Sequence, residues 1–379
     1  MSVFSDAYIT GVGAHLPGMP VSCDDMENHI GRIGGREAVM GRRALRWNGI
    51  RTRHYALDAD GVPRDSNAGM CAKAVSAALD HAGLHKSQLG YLATATTQGD
   101  LLVPGHAAAV HAELASGPLE IASFQSVCGS SLMAAKAAWL SVRSGEHSVA
   151  AACAGEFSSR WFRPSFYEGT ALVDAKGRVR AEADFLRFTL SDGAGAVIVE
   201  PKPPSDRPCL KIVFADLVSL AHQYDSCMWA GAAVETRNDL ATSWSHLGPA
   251  NARETGAIAL LQDFALLKRV VRAWVGVYLQ KVDEGRIKPA EIDHLLCHYS
   301  AQSLREEIVS LLKSTEAMIP EEKWFSNLPS VGNVGAASIW IMLEEFLRER
   351  RPKAGEKILL IVPESGRAFV GFMLLEAVS

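Results

Sequence analysis

An α/β fold with helices and sheets in layers is predicted for this chain of 379 residues by three features. Short apolar, β-branched segments alternate with alanine-rich segments of helical period along most of its length. A proline cluster at Pro201, Pro203, Pro204 and Pro208 breaks the chain near its middle, and the same order of strands and helices then begins again. Apolar residues make up 48% of the sequence, ample for a well-covered core. The expected division is into residues 1–204 and 205–379, two halves of one duplicated design with no residue-level repeat left.

The first strand is expected at Tyr8–Gly13. Gly11 and Gly13 begin like a dinucleotide-binding turn, but position 16 is Leu, Pro17 follows and no helix opens there, which argues against a nicotinamide or flavin site. A polar segment over 31–54 carries Arg42, Arg43, Arg46, Arg51 and Arg53. Such runs are usually solvated surface, and the functional alternative is a patch that meets phosphates. A helix over 67–82 closed by Gly83, a strand over 91–97, a helix over 106–114, a strand over 119–127, a helix over 132–144 and a strand over 148–155 follow. Residues 156–188, rich in Arg, Phe, Trp and Tyr, read as an excursion over the surface before a strand at 190–199. The second half gives a strand over 210–220, an insertion from Tyr224, a helix over 256–281 and a strand over 292–297. A helix over 302–313, a glycine- and proline-marked loop over 327–333, a helix over 336–350 and strands over 357–362 and 369–377 complete it.

Charged residues are 21% of the chain and the net charge is −4, so no global basic field points to nucleic acid. The first residues lack the basic, apolar, small-residue order of a secretion signal, and no apolar run reaches membrane-spanning length. The expectation is a cytoplasmic protein without a membrane partner. Seven scattered cysteines without a C-x-x-C pair argue against a disulfide framework or a zinc site. His294 and His298 are four apart, but they lie on an expected strand, where the spacing does not bring two side chains to one metal. No metal is expected.

Cys128 sits where an apolar strand turns through Gly129 into an alanine-rich helix. Unpaired N–H groups and partial positive charge at a helix start favour a thiolate and then an acyl oxyanion. A cysteine chosen at random is more often a small core residue. Two further loops change that balance. His298 closes one expected strand and Asn333 lies in Gly332-Asn333-Val334-Gly335 before a helix. Each alone has a bland reading, as a satisfied strand-end histidine and as a tight-turn asparagine. Together, a thiol, an imidazole and an amide, each at the exit of a strand or the entry to a helix, suit acyl transfer followed by stabilisation of an enolate.

The segments Asn48-Gly49-Ile50-Arg51-Thr52-Arg53-His54, Ala93-Thr94-Ala95-Thr96-Thr97, the turn at Cys128, Ser191-Asp192-Gly193-Ala194-Gly195-Ala196, His298 and Gly332-Asn333-x-x-Ala336-Ala337-Ser338 run in the order seen in β-ketoacyl-acyl-carrier-protein synthase III. The chain resembles that family over nearly its whole length. The resemblance implies a thiolase-like fold of five layers, α-β-α-β-α, a homodimer, and a triad that by motif position is Cys128, His298 and Asn333. It also implies thioester substrates carried by coenzyme A or an acyl carrier protein, met by Arg46, Trp47 and Arg51, and no further cofactor.

Within the family, residues 31–54 and the loop Asp100–His106 most resemble ketosynthases that form dialkylresorcinols and isopropylstilbene. Those enzymes join an acyl thioester to a β-ketoacyl thioester and close a cyclohexanedione ring. Three departures accompany this. Ala301 stands three residues after His298, where the initiating synthases carry asparagine; Val103 stands where olefin-forming relatives carry a glutamate base; and Glu364–Gly371 replaces a glycine-rich loop, with Arg367 expected to narrow or charge the pocket. The alternatives are a fatty-acid initiating synthase that condenses acyl-coenzyme A with malonyl-carrier protein, an acyltransferase to an alcohol or amine, and a non-catalytic partner subunit. No G-x-S-x-G elbow supports a serine hydrolase.

Overall fold

The computed structural model describes residues 5–379, apart from the side chains of residues 39, 40, 42–44 and 240. Its main sheet has ten strands: β1 Tyr8–His15, β2 Tyr91–Thr96, β3 Glu120–Gln125, β4 Ala150–Glu156 and β5 Gly193–Glu200, then β6 Cys209–Ser219, β7 His294–Cys297, β8 Trp324–Phe325, β9 Lys357–Glu364 and β10 Phe369–Val378. Their spatial order is β8-β7-β9-β10-β6-β1-β5-β4-β2-β3. Counted within each half, that is third, second, fourth, fifth, first in both. Orientation repeats as well. The second strand runs parallel to the third and fourth, and the fifth runs antiparallel to the fourth and first. The halves join where β1 pairs β6 at only two positions, Tyr8 with Lys211 and Ile9 with Leu210.

Side-chain alternation on these strands builds the layers. In β4, Ala150, Ala152 and Ala154 face a central core, while Ala151 and Cys153 face an outer one. In β9, Ile358, Leu360 and Val362 face the same central core and Leu359 faces outward. The central core is filled by helices α4 (Ser130–Arg143) and α8 (Ser338–Arg350), through Leu132, Trp139, Trp340 and Phe346. Outside the first half lie α2 (Asn67–His81) and α3 (His106–Leu114), and outside the second lie α6 (Phe264–Asp283) and α7 (Gln302–Leu312). Helix, sheet, helix, sheet, helix is the order across the molecule. The α1 helix (Val39–Asn48) and the short α5 helix (Ala181–Arg187) lie in the excursions between strands.

Local chemistry explains most boundaries. The Ser66 side chain accepts the Gly69 N–H at 2.9 Å and starts α2. Gly11 and Gly13 belong to strand–helix packing, since a Cβ at either would strike the α2 backbone at Ala78 or Ala74. The expected helix over 256–281 begins later than its apolar pattern suggests. Leu261 and Gln262 pair with Trp229 and Met228 as a small ribbon, and Asp263 then caps α6 by accepting the Leu266 N–H at 2.9 Å. The excursion after β4 is only partly surface. Phe162, Leu186, Phe188 and Leu190 form a buried cluster, and the Arg187 side chain is fully buried beside it.

Candidate active site

Helix α4 begins two residues earlier than the sequence pattern suggests, with Gly129 as its cap, so Cys128 stands immediately before the cap. The Ser130 hydroxyl donates to the Val127 carbonyl at 2.7 Å and the Ser131 hydroxyl to the Cys128 carbonyl at 2.9 Å, which tightens the turn. His298 follows β7, and its N–H extends the ladder to the Ile361 carbonyl at 2.8 Å. Asn333 follows Gly332, whose φ of +79° lets the chain turn sharply. The Asn333 carbonyl accepts the Ser191 N–H at 2.8 Å, and its Oδ1 accepts the Gly335 N–H at 2.9 Å. That bond fixes the amide with its Nδ2 donors turned away from the turn.

The three side chains line one narrow cavity of about 40 Å³. Its apolar wall includes Val127, Leu186, Leu190, Met228, Leu260 and Trp274, and its polar members include Thr97, Glu156 and Ser158. Cys128 is 7% exposed, His298 4% and Asn333 3%. The His298 Nε2 is buried without a hydrogen-bond partner, a donor or acceptor left over for a substrate atom.

Burial reverses the charge state expected for the sulfur. Desolvation pushes the Cys128 thiol well above its usual range, and the Glu364 and Glu156 carboxylates add to this. Against these stands only a backbone hydrogen bond at Cys128 itself, so the resting sulfur is a thiol. Of the N–H groups at this helix start, that of Gly129 is taken by Glu364 Oε2 at 2.9 Å, while Glu364 Oε1 accepts the Ser126 hydroxyl at 2.6 Å. Burial also pulls His298 down to about 4 and pushes Glu156 up to about 7. Both Glu156 and Glu364 are missing from the residues picked out by sequence pattern. The available signal was an acidic residue ending an otherwise apolar strand in each half.

The remaining candidates separate. Arg46 and Trp47 are exposed on α1 and line a neighbouring cleft with Phe264, Lys268 and Leu304, and Leu304 also lines the catalytic cavity. Arg51 is exposed but outside that cleft. Arg53 is no part of a surface patch: its side chain is fully buried, with Nη2 donating to the Cys23 sulfur at 3.4 Å. Arg42 and Arg43 have side chains outside the described residues. Arg367 is exposed and donates to the Tyr224 carbonyl at 2.9 Å, so it neither narrows nor charges the cavity. Of the aromatic residues in the excursions, Trp161 lines the cavity, whereas Phe162 and Trp229 are core. Among the described residues, no group of three or more His, Cys, Asp or Glu side chains is placed to hold a metal, and no helix is long and apolar enough to cross a membrane.

Comparison with known proteins agrees with this architecture. Residues 282–374 match the family described as 3-oxoacyl-[acyl-carrier-protein] synthase III C terminal, and residues 19–204 match the β-ketoacyl synthase N-terminal domain. The chain is 26% identical to the β-ketoacyl-[acyl-carrier-protein] synthase III of Caulobacter vibrioides, over 93% of this chain and 94% of that protein. It is 27% identical to the acetoacetyl CoA synthase NphT7 of Streptomyces sp. strain CL190, over 97% and 98%. Among solved structures, AbyA1, a tetronic acid condensing enzyme, superposes with a TM-score of 0.76 at 20% identity, covering 98% of this chain and 99% of that one. The two matched segments and the full-length relatives together make the chain a 3-oxoacyl synthase III-like condensing enzyme, an acyltransferase that forms a carbon–carbon bond by Claisen condensation.

Proposed function

We propose that Cys128 holds the first acyl group, that His298 and Asn333 stabilise the enolate of the second substrate, and that this second substrate is a β-ketoacyl thioester. One observation supports the assignment of roles above all: a thiol, an imidazole and an amide from three separate loops line a single buried cavity. In the first step Cys128 Sγ bonds to the donor's carbonyl carbon, the donor's C–S bond breaks, and the Cys128 proton ends on the departing thiol. In the second, a carbanion at C2 of the acceptor attacks the Cys128-bound acyl carbon. Its charge is spread onto an oxygen that receives hydrogen bonds from His298 Nε2–H and Asn333 Nδ2. The new carbon–carbon bond expels the Cys128 sulfur. Ring closure of the product gives the cyclohexanedione precursor of a dialkylresorcinol or stilbene-type compound.

Support for the β-ketoacyl acceptor comes from position 301, where buried Ala301 precedes α7 and offers no amide to the cavity. The donor's phosphates, on coenzyme A or a carrier protein's phosphopantetheine, fit the cleft lined by Arg46, Trp47 and Lys268, because Leu304 links it to the reacting sulfur. A homodimer fits strand β3, which ends the sheet, and the adjacent loop, where Leu101, Leu102 and Val103 are 61%, 71% and 80% exposed.

Intact-protein mass spectrometry with a panel of acyl thioesters tests the first step. Acyl mass is expected at Cys128 and is lost in Cys128→Ala; adducts confined to other residues overturn the assignment. Product analysis tests the second. The β-ketoacyl reading fails if malonyl thioester alone serves as extender and a linear product forms.

A further inference from the structure

We propose that Glu156 is the general base that removes the C2 proton of the acceptor thioester, so that this chain forms its carbanion by deprotonation and needs no loss of carbon dioxide. The proposal rests on the reading of Cys128 as the acyl carrier. Glu156 ends β4, is 4% exposed, and is the one carboxylate among the described residues that line the cavity with Cys128, His298 and Asn333.

The duplicated fold supplies an internal comparison. Glu156 and Glu364 end the fourth strand of their respective halves. Each reaches the turn that starts the other half's central helix, Glu156 at Ala336 before α8 and Glu364 at Gly129 before α4. Glu364 spends one oxygen on each donor and stays out of the cavity lining. Glu156 gathers all three of its donors on Oε1: the Thr97 N–H at 3.0 Å, the Thr97 hydroxyl at 2.7 Å and the Ala336 N–H at 3.2 Å. Its Oε2 receives no hydrogen bond from the described residues. A clamp needs only Oε1, and the second oxygen is left to take a proton.

The charged and titratable groups around Glu156 are Arg160, from the turn after β4, the buried Cys71 thiol of α2 behind the strand, and Cys128 and His298 across the cavity. With burial holding Glu156 near 7, its two forms are both accessible at neutral pH, whereas His298 near 4 is a weak base. The step balances. The acceptor's C2–H bond breaks, the proton goes to Glu156 Oε2, and the electron pair becomes the enolate held by His298 and Asn333. The enolate carbon bonds to the acyl carbon as its C–S bond breaks, and the Glu156 proton passes to the released Cys128 sulfur, restoring both groups.

Glu156→Gln keeps an oxygen for Thr97 and Ala336 and removes the base. Full-length wild type and variant are compared for acyl mass at Cys128 with hexanoyl-coenzyme A, then for single-turnover condensation with a 3-oxoacyl-coenzyme A across pH. Loading is expected to persist at no less than the wild-type rate, because the Glu156 charge that opposes ionisation of Cys128 is gone, condensation to fall about 10²–10⁴-fold, and the acid limb of the wild-type rate near neutral pH to vanish from the residual rate. Condensation within about threefold of wild type overturns the proposal. So does a lowered rate that keeps the same acid limb, which marks Glu156 as a clamp for the Asn333 turn. Failure of wild type to load Cys128 is a separate result, and it removes the nucleophile assignment instead.

Discussion

Glu364 holds Gly129 by its backbone: Oε2 accepts the Gly129 N–H at 2.9 Å while Oε1 takes the Ser126 hydroxyl at 2.6 Å. One buried carboxylate therefore spans the nucleophile, bonded two residues before Cys128 and one residue after it. The cost is electrostatic, because the same charge opposes ionisation of the sulfur. Gly129 has no substitute here, since a Cβ would collide with the Phe369 ring.

Glu364→Gln removes the charge but sets an amide N–H against one of its two donors. Loss of that bond is expected to cost about 1–3 kcal/mol of stability, seen in urea unfolding. The Cys128 pKa moves down with the carboxylate gone, so the pH midpoint for iodoacetamide alkylation at Cys128 should shift lower. An unchanged or higher midpoint contradicts the electrostatic account.

Asn333→Ala separates the two half-reactions. Acyl loading of Cys128 needs no enolate donor and should persist, while condensation should drop about 10²–10³-fold for loss of one donor to the developing oxyanion. Equal losses in both steps, measured by mass spectrometry and product formation, would assign Asn333 to shaping the turn alone.

His298 carries a pH signature. Its folded pKa, about 4, lies below the ordinary 6.5, so the unfolded chain binds this proton first as pH falls. Its contribution to stability is therefore full above 6.5 and is lost as pH falls towards 4. Melting temperatures of wild type and His298→Gln, compared from pH 7 to 4, should show the wild type losing ground steadily over that interval. Glu156, raised to about 7, pulls in the opposite sense in both proteins and cancels in the difference.

Arg46 and Trp47 lie far enough out on α1 to alter docking without disturbing the cavity. Arg46→Ala with Trp47→Ala should raise KM for the acyl-coenzyme A or carrier-protein donor about tenfold and leave kcat unchanged. A fall in kcat at constant KM would place these residues in the chemistry.

The layered fold was legible because strand and helix periods are local properties, and β4, α2 and α3 lie close to where their patterns put them. Cys128 and His298 stood out because each follows a strand, and Asn333 because its glycine-flanked turn leads into a helix. What local pattern does not carry is burial by distant chain. Arg53 reads as one more surface arginine and is enclosed; Glu364 acts on a turn 235 residues earlier in sequence. The sulfur's protonation was misjudged for the same reason. A helix start is visible in sequence, but the desolvation and the two acids that push the thiol up come from tertiary packing.

Two copies of one five-strand design face each other here, and each contributes the latch for its sibling's loop. Severing the chain between Glu200 and Cys209 would leave the first fragment with a nucleophile it cannot fasten and the second with an amide it cannot fasten. Neither half can hold its own reacting turn in place without the other.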